Sequence, residues 1–252
     1  MEVHHHSHTA RKKWTHYFWE FLMLFLAVFC GFLAENQREH MVEHQRAKKY
    51  AAALYKDLVK DTSILNQRIE ALEETNANLD SLIGLLTIKN NASSFDRIYA
   101  LSGYAFGSLF FPATTSTINQ LKNSGSVRYF SGTELIDNFN AYDAQLESLK
   151  GLQESNIYIQ EEIRKFLSQF LNLKYLPRFK LINETQQIVY EHTAVPAGVQ
   201  KIYQADNDHL RQYANLCSLK QSDYDNKLRW LKGTKKLVEK LIQSLKNDFY
   251  MK

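Results

Sequence analysis

The sequence predicts an all-α protein, with an N-terminal transmembrane helix continuing into an antiparallel bundle of three long and one or two short helices. Three observations carry this expectation: an apolar run at residues 17–34, leucines recurring every seven residues from Leu58, and a scarcity of turn formers. Nine Gly and three Pro in 252 residues are few for a sheet-rich chain with many turns. The implied organisation is a short cytoplasmic tail at 1–16, a transmembrane helix at 17–34 and a helical-bundle domain at 35–252.

The stretch "WTHYFWEFLMLFLAVFCGFLAENQREH", residues 14–40, holds the apolar run. Tyr17 to Ala34 is eighteen residues with a single formal charge, Glu20. At roughly 1.5 Å per residue it covers about 27 Å, close to the hydrocarbon thickness of a bilayer. Phe32-Leu33-Ala34 is a poor cleavage pattern for an export signal, and Ala27-Val28-Phe29 ahead of Cys30 lacks the small residue expected beside a lipid-modified cysteine. The reading is therefore an uncleaved anchor. Arg11, Lys12 and Lys13 precede the span, whereas Arg38 is the single Lys or Arg in the ten residues after it. The positive-inside tendency then puts the N-terminus in the cytoplasm and the main domain in the periplasm, across a bacterial inner membrane. Trp14, Tyr17 and Trp19 suit the headgroup level at the entering end.

Two readings of Glu20 stand side by side. As an ionisable group within the membrane it marks a proton path or a polar contact with a partner helix. About six residues from the middle of the span, it also lies near enough to the headgroups to be hydrated there. The histidines carry weaker signals. "HHHSH", His4 to His8, would form a loose and promiscuous metal site without a fixed scaffold. His40 and His44 share one helical face beside Glu39 and Glu43, yet "HMVEH" lacks the Glu directly after the first His that a zinc peptidase uses as its base. The expectation is no metal, no cofactor and no catalytic residue.

Beyond the span the dominant signal is a repeat of seven. Leu58, Leu65, Leu72, Leu79 and Leu86 make one seam, with Ile69 and Ile83 four residues after two of them. "RAKKYAAALYKDL" upstream has high helix propensity, so the anchor and the first bundle helix read as one rod. Residues 89–117 read as a short helix around Phe95–Leu101 and a turn before Pro112, with Phe106, Phe110 and Phe111 as core or as a docking patch. The Thr and Ser run at 114–117 offers capping oxygens for a short helix through Leu121 that Gly125 ends. Ser131 or Thr133 then caps a second long helix.

In that helix Leu135, Tyr142, Leu149, Asn156, Ile163 and Phe170 form one row, and Phe139, Leu146, Gln153, Gln160 and Leu167 the other. Its polar middle, Gln153, Asn156 and Gln160, reads as a register device or as the lining of a small polar cavity. Residues 174–204, with Pro177 and Pro196, read as an irregular excursion holding a short strand or helix. The last helix, about Ala205–Tyr250, carries Leu210, Cys217, Tyr224, Leu231, Val238 and Leu245 in one row and Ala214, Leu228, Ile242 and Phe249 in the other.

"EFLMLFLAVFCGFLAEN", "YAAALYKDLVKDTSIL" and "TSTINQLKNSGSVRYFSGTELIDNFNAYDAQL" together resemble a large group of uncharacterised bacterial single-span membrane proteins that share a domain of unknown function. The nearest correspondences are Leu54 to Leu58 with Asp61, and Leu121 to Gly125 followed by the Leu135 helix, within roughly residues 18–150. The resemblance implies an N-terminal anchor and a helical extracytoplasmic domain, and brings no activity.

The balance of 31 basic and 27 acidic residues, without a basic stripe, argues against nucleic acid as a partner. Two cysteines, one of them in the apolar run, imply no disulfide framework. There is no Gly-rich phosphate loop and no Gly-x-Ser-x-Gly turn, so an enzyme is not expected. The expected role is a membrane-anchored scaffold or complex subunit, with membrane lipid and either a second copy or another envelope protein as partners. The alternatives are an extracytoplasmic ligand-sensing bundle, or an accessory subunit of an ion-driven membrane complex that uses Glu20.

Overall fold

A computed structural model describes residues 14–88, 92–107, 109–130, 132–182, 187–191, 193–203 and 206–249. The chain divides into two units, Met1–Lys49 and Tyr50–Lys252, and the helix α1 (Trp14–Thr87) contributes to both. The described residues are predominantly helical: α2 (Ala92–Phe106), α3 (Ser116–Asn123), α4 (Thr133–Leu167) and α5 (Asn207–Phe249) follow, with one two-stranded sheet between the last two.

In the first unit the apolar part of α1 has a mean hydropathy of 2.0 over eighteen residues, none of it buried. It is long and apolar enough to cross a membrane. Phe21, Phe25 and Phe29 stack one turn apart along it, at centroid separations of 6.2 and 5.8 Å.

The second unit is a bundle. Helix α5 runs opposite to α1, since Glu73 meets Lys232 at 2.6 Å and, further along, Asn76 meets Asp225 at 2.7 Å. It also runs opposite to α4, where Asn138 bonds Ser244 at 2.7 Å and Gln145 bonds Thr234 at 3.0 Å. Helices α1 and α4 therefore run the same way, and a returning member must join them. That member is α2, an extended stretch and α3. Its residues 104, 110, 114 and 117 meet α1 at Glu74, Arg68, Asp61 and Asp57 in turn. The result is a four-membered up-down-up-down arrangement whose second member is broken in the middle.

The expected leucine seam is the core. Leu58, Leu65, Leu72, Leu79 and Leu86 are all buried, as are Leu135, Tyr142, Leu149 and Ile163 on α4 and Leu210, Cys217, Tyr224, Leu231, Val238 and Leu245 on α5. The second row of α4 is buried at Phe139, Leu146 and Leu167 as expected, whereas those of α1 and α5 differ from the sequence reading. On α1 the buried companions are Leu54, Asp61, Arg68, Thr75 and Leu82, while Ile69 and Ile83 flank the core half-buried. On α5 they are Tyr213, Lys220, Lys227, Thr234 and Leu241; of the expected row Ala214 is buried, whereas Leu228, Ile242 and Phe249 are half-buried. Both second rows begin and end apolar and carry charge in the middle.

Two capping expectations are corrected. Helix α4 has Gly132 at its N-cap with no side-chain cap bond, and Thr133 is its first helical residue; Ser131 lies outside the described residues. Helix α3 has Thr115 at its N-cap, also without a side-chain bond, and Thr117 lies inside the helix, where its hydroxyl donates to Asp57. Gly125 does end that turn, in the left-handed region at φ 63° where a Cβ is disfavoured.

The excursion between α4 and α5 is a hairpin, β1 (Arg178–Ile182) and β2 (Gln187–Glu191), with Phe179 opposite Tyr190. It packs on α2, which is longer than the Phe95–Leu101 expected. A Cβ on Gly103 would overlap the Tyr190 hydroxyl and the Pro177 carbonyl, and one on Gly107 would overlap the Phe179 ring. Tyr190 stacks on Tyr104 with centroids 4.0 Å apart and donates its hydroxyl to the Ala100 carbonyl at 2.9 Å.

Candidate functional site

The break in the second member sets a chemical problem. Residues 109–115 lie outside any helix or strand, so their backbone polar groups need partners from elsewhere. Each long helix supplies one or more. Gln160 Nε2 of α4 donates to the Phe106 carbonyl at 2.9 Å, and the Tyr224 hydroxyl of α5 donates to the Gly107 carbonyl at 2.6 Å. Arg68 Nε of α1 donates to the Phe110 carbonyl at 2.7 Å. The Thr114 amide donates to both oxygens of Asp61, at 3.0 and 3.1 Å. Tyr142 of α4 then donates its hydroxyl to Asp61 Oδ2 at 2.8 Å, tying the three members at one level.

Burial makes these bonds consequential. Asp61 and Tyr142 are fully buried, and Arg68 and Tyr224 are 1% exposed. Leu109 and Phe111 point into the core, Phe106 is half-buried and Phe110 is exposed, so the aromatic string is divided between core and surface. Burial pushes the Asp61 carboxyl above the usual carboxylate range; the bonds from Thr114 and Tyr142 hold it down, while Asp57 raises it. Burial, then the field of Asp61, keeps the Tyr142 phenol protonated far into the alkaline range.

Next to this brace lies a cationic layer. Burial lowers Lys220 from 10.5 to about 8, against the opposing field of Asp223. Lys227 is lowered from 10.5 to about 8 by burial and then by Lys220. Arg68, whose guanidinium is likewise lowered by burial, adds to the field at Lys227. Lys220 Nζ makes no hydrogen bond and lies 4.7 Å from the centroid of the Tyr224 ring.

A separate cleft of about 360 Å³ opens between α2, α4 and the hairpin, walled by Phe106 and Phe179 with Gln160, Arg164 and Arg178. Arg164 sits over the Phe106 ring at 5.1 Å and pairs with Glu161 at 2.6 Å. The Cys217 thiol is buried and pushed up to about 12, which removes its nucleophilic character near neutrality.

Of the residues singled out from sequence, Glu20 accepts from or pairs with His16 one turn earlier, Nε2 to Oε1 2.9 Å. Gln160 belongs to the brace, whereas the side chains of Gln153 and Asn156 lie outside the described residues. His40 reaches Glu43 at 3.9 Å, and His4 to His8 lie outside the described residues. Among the described residues no three His, Cys, Asp or Glu side chains converge as a metal site. Arg68, Lys220 and Lys227 are not singled out in the sequence reading, and Asp61 enters it only among the residues of the family resemblance. The signal that finds them is the seven-residue spacing of Leu54 to Leu82 and of Tyr213 to Leu241, in which charged residues occupy rows bounded by apolar ones.

Comparison with protein-family models, with curated proteins and with solved structures finds no match to the chain.

Tyr224→Phe leaves the Gly107 carbonyl unpaired and lowers the unfolding free energy by about 1–3 kcal/mol, against almost no change for Tyr158→Phe at the surface. Chemical denaturation of both variants in the same detergent checks this. The lysines give a pH dependence of definite sign. Their folded-state pKa lies below the unfolded value, so unfolding takes up protons between pH 8 and 10 and stability rises with pH across that window. Above pH 10 the buried phenols of Tyr142 and Tyr224 oppose further gain. The fall from 10.5 to about 8 is worth about 3 kcal/mol per lysine when fully expressed. Denaturation midpoints measured from pH 7.5 to 10 rise for the native chain, and Lys220→Met with Lys227→Met removes most of the rise.

Proposed function

We propose that the protein is a membrane-anchored helical scaffold or complex subunit that acts by protein-protein contact in the bacterial envelope. The observation that carries this reading is the apolar part of α1, an exposed helical stretch with hydropathy suited to lipid, in a chain whose second unit buries its own leucine seams. Its occupants are lipid and one or more further helices. The basic residues at 11–13 favour a cytoplasmic N-terminus and a periplasmic bundle at the inner membrane. The resemblance to uncharacterised single-span bacterial proteins fits the same layout.

A second reading, an accessory subunit of an ion-driven complex, draws on the His16 and Glu20 pair in the apolar stretch. Two measurements separate the readings. A reporter fused after Lys252 is active on the periplasmic side alone, and extraction in mild detergent gives a particle heavier than one chain; cytoplasmic activity or a lone monomer contradicts the proposal. Glu20→Gln leaves the mass and composition of that particle unchanged under the scaffold reading, whereas loss of assembly favours the ion-driven one.

A further inference from the structure

The cleft between α2, α4 and the hairpin is lined by parts that the fold holds in place. Its α2 wall is bare backbone at two points: a Cβ on Gly103 would overlap the Pro177 carbonyl, and one on Gly107 would overlap the Phe179 ring. On the β1 side the Phe179 ring is set edge-on to Tyr104, with centroids 5.7 Å apart. On the α4 side Gln160 is tied by its Nε2 to the Phe106 carbonyl at 2.9 Å. The cavity of about 360 Å³ lies at the small end of ligand clefts, which run roughly from 300 to 1,000 Å³.

Two guanidiniums from different elements line this one cleft, Arg164 of α4 and Arg178 of β1. Arg164 lies over the Phe106 ring at 5.1 Å and pairs with Glu161, three residues before it on α4. The two side chains of that pair are 44% and 47% exposed, so water screens it and a competing carboxylate displaces it at little cost. Arg178 donates Nη2 to the Leu173 carbonyl at 3.0 Å, a neutral acceptor that leaves its charge without a counter-ion. Glu191, opposite Arg178 in the strand register, is met by Lys180 at 3.5 Å. Among the described residues the ion pairs at this cleft therefore set one carboxylate against two guanidiniums.

Aromatic walls beside two forked donors match one ligand chemistry. Phenylalanine rings favour a flat apolar body, which they meet by offset stacking or edge contact. A guanidinium presents parallel N–H groups that fit both oxygens of a carboxylate. Inorganic phosphate would meet the donors but leave the Phe106 and Phe179 walls without a partner. We propose that the cleft lined by Phe106, Gln160, Arg164, Arg178 and Phe179 is a binding site for a small carboxylate with a planar apolar body, an aromatic or unsaturated acid. The body lies against the two rings and the carboxylate meets the guanidiniums. Bound there, the ligand links α4 to the hairpin beside the carbonyl at which α2 ends, and so adds to the stability of the folded bundle. The site goes beyond the scaffold reading and does not rest on it.

The test is calorimetric titration of the full chain in mild detergent with trans-cinnamate, with empty micelles as the blank. In parallel, trans-cinnamamide keeps the body without the charge, acetate keeps the charge without the body, and inorganic phosphate serves as a second anion. Cinnamate binds saturably, and the amide, acetate and phosphate each bind more weakly by about tenfold or more. Arg178→Gln and Arg164→Gln each weaken cinnamate by about tenfold. Lys165→Gln, which removes an exposed cation outside the cleft lining, leaves the affinity unchanged. Arg164→Gln breaks only an exposed pair and a ring contact, so it carries the test if Arg178→Gln fails to fold. No saturable binding, equal binding of the amide, phosphate binding at least as tight as cinnamate, or an affinity unchanged in the folded arginine variants overturns the proposal.

Discussion

The bundle depends on how a broken member is accommodated between three continuous ones. A four-membered up-and-down bundle needs a second element that retraces the first, and here that element is two short helices with an extended stretch between them. An extended backbone beside a core forfeits helical hydrogen bonds, and each buried polar group left unpaired costs about 1–3 kcal/mol. Asp61 and Arg68 of α1 pair with Thr114 and Phe110 within the stretch, Gln160 of α4 and Tyr224 of α5 take the Phe106 and Gly107 carbonyls where α2 ends, and Tyr142 of α4 holds Asp61 in place. Because each partner sits at one level of its own helix, the same bonds fix the axial register of the bundle, which apolar seams alone specify weakly.

The brace has an electrostatic consequence. Placing Asp61 and Arg68 in the second row of α1 introduces charge into the core, and α5 places Lys220 and Lys227 in its own second row, with Asp223 raising the pKa of both lysines. Asp61 is spent on the Thr114 amide and the Tyr142 hydroxyl.

Much of this was legible in the sequence, and the illegible part has a physical cause. The leucine row of α1 and the first row of α5 are apolar throughout, so periodicity locates both helices and their inward faces. The second rows are interrupted by Asp61, Arg68, Lys220 and Lys227, residue types that are rarely fully buried unless paired. Read by residue type they look like solvent positions, which is why Ile69 and Leu228 were expected inside. The polar middle of α4 was visible, and Gln160 is engaged there, but its partner is a backbone carbonyl that no side-chain pattern announces. Thr117, one of the capping candidates, lies inside helix α3, and its hydroxyl donates to Asp57, sixty residues away in the chain.

The account's central claim is that the extended stretch is held by side chains from the long helices and not by its own local structure. Amide hydrogen exchange at Thr114, compared between the native chain and Asp61→Ala, tests it most directly. The claim predicts strong protection of that amide in the native chain and exchange faster by at least tenfold in the variant, with the amides of α5 around Leu231 much less affected. Equal protection of Thr114 in both proteins would contradict it.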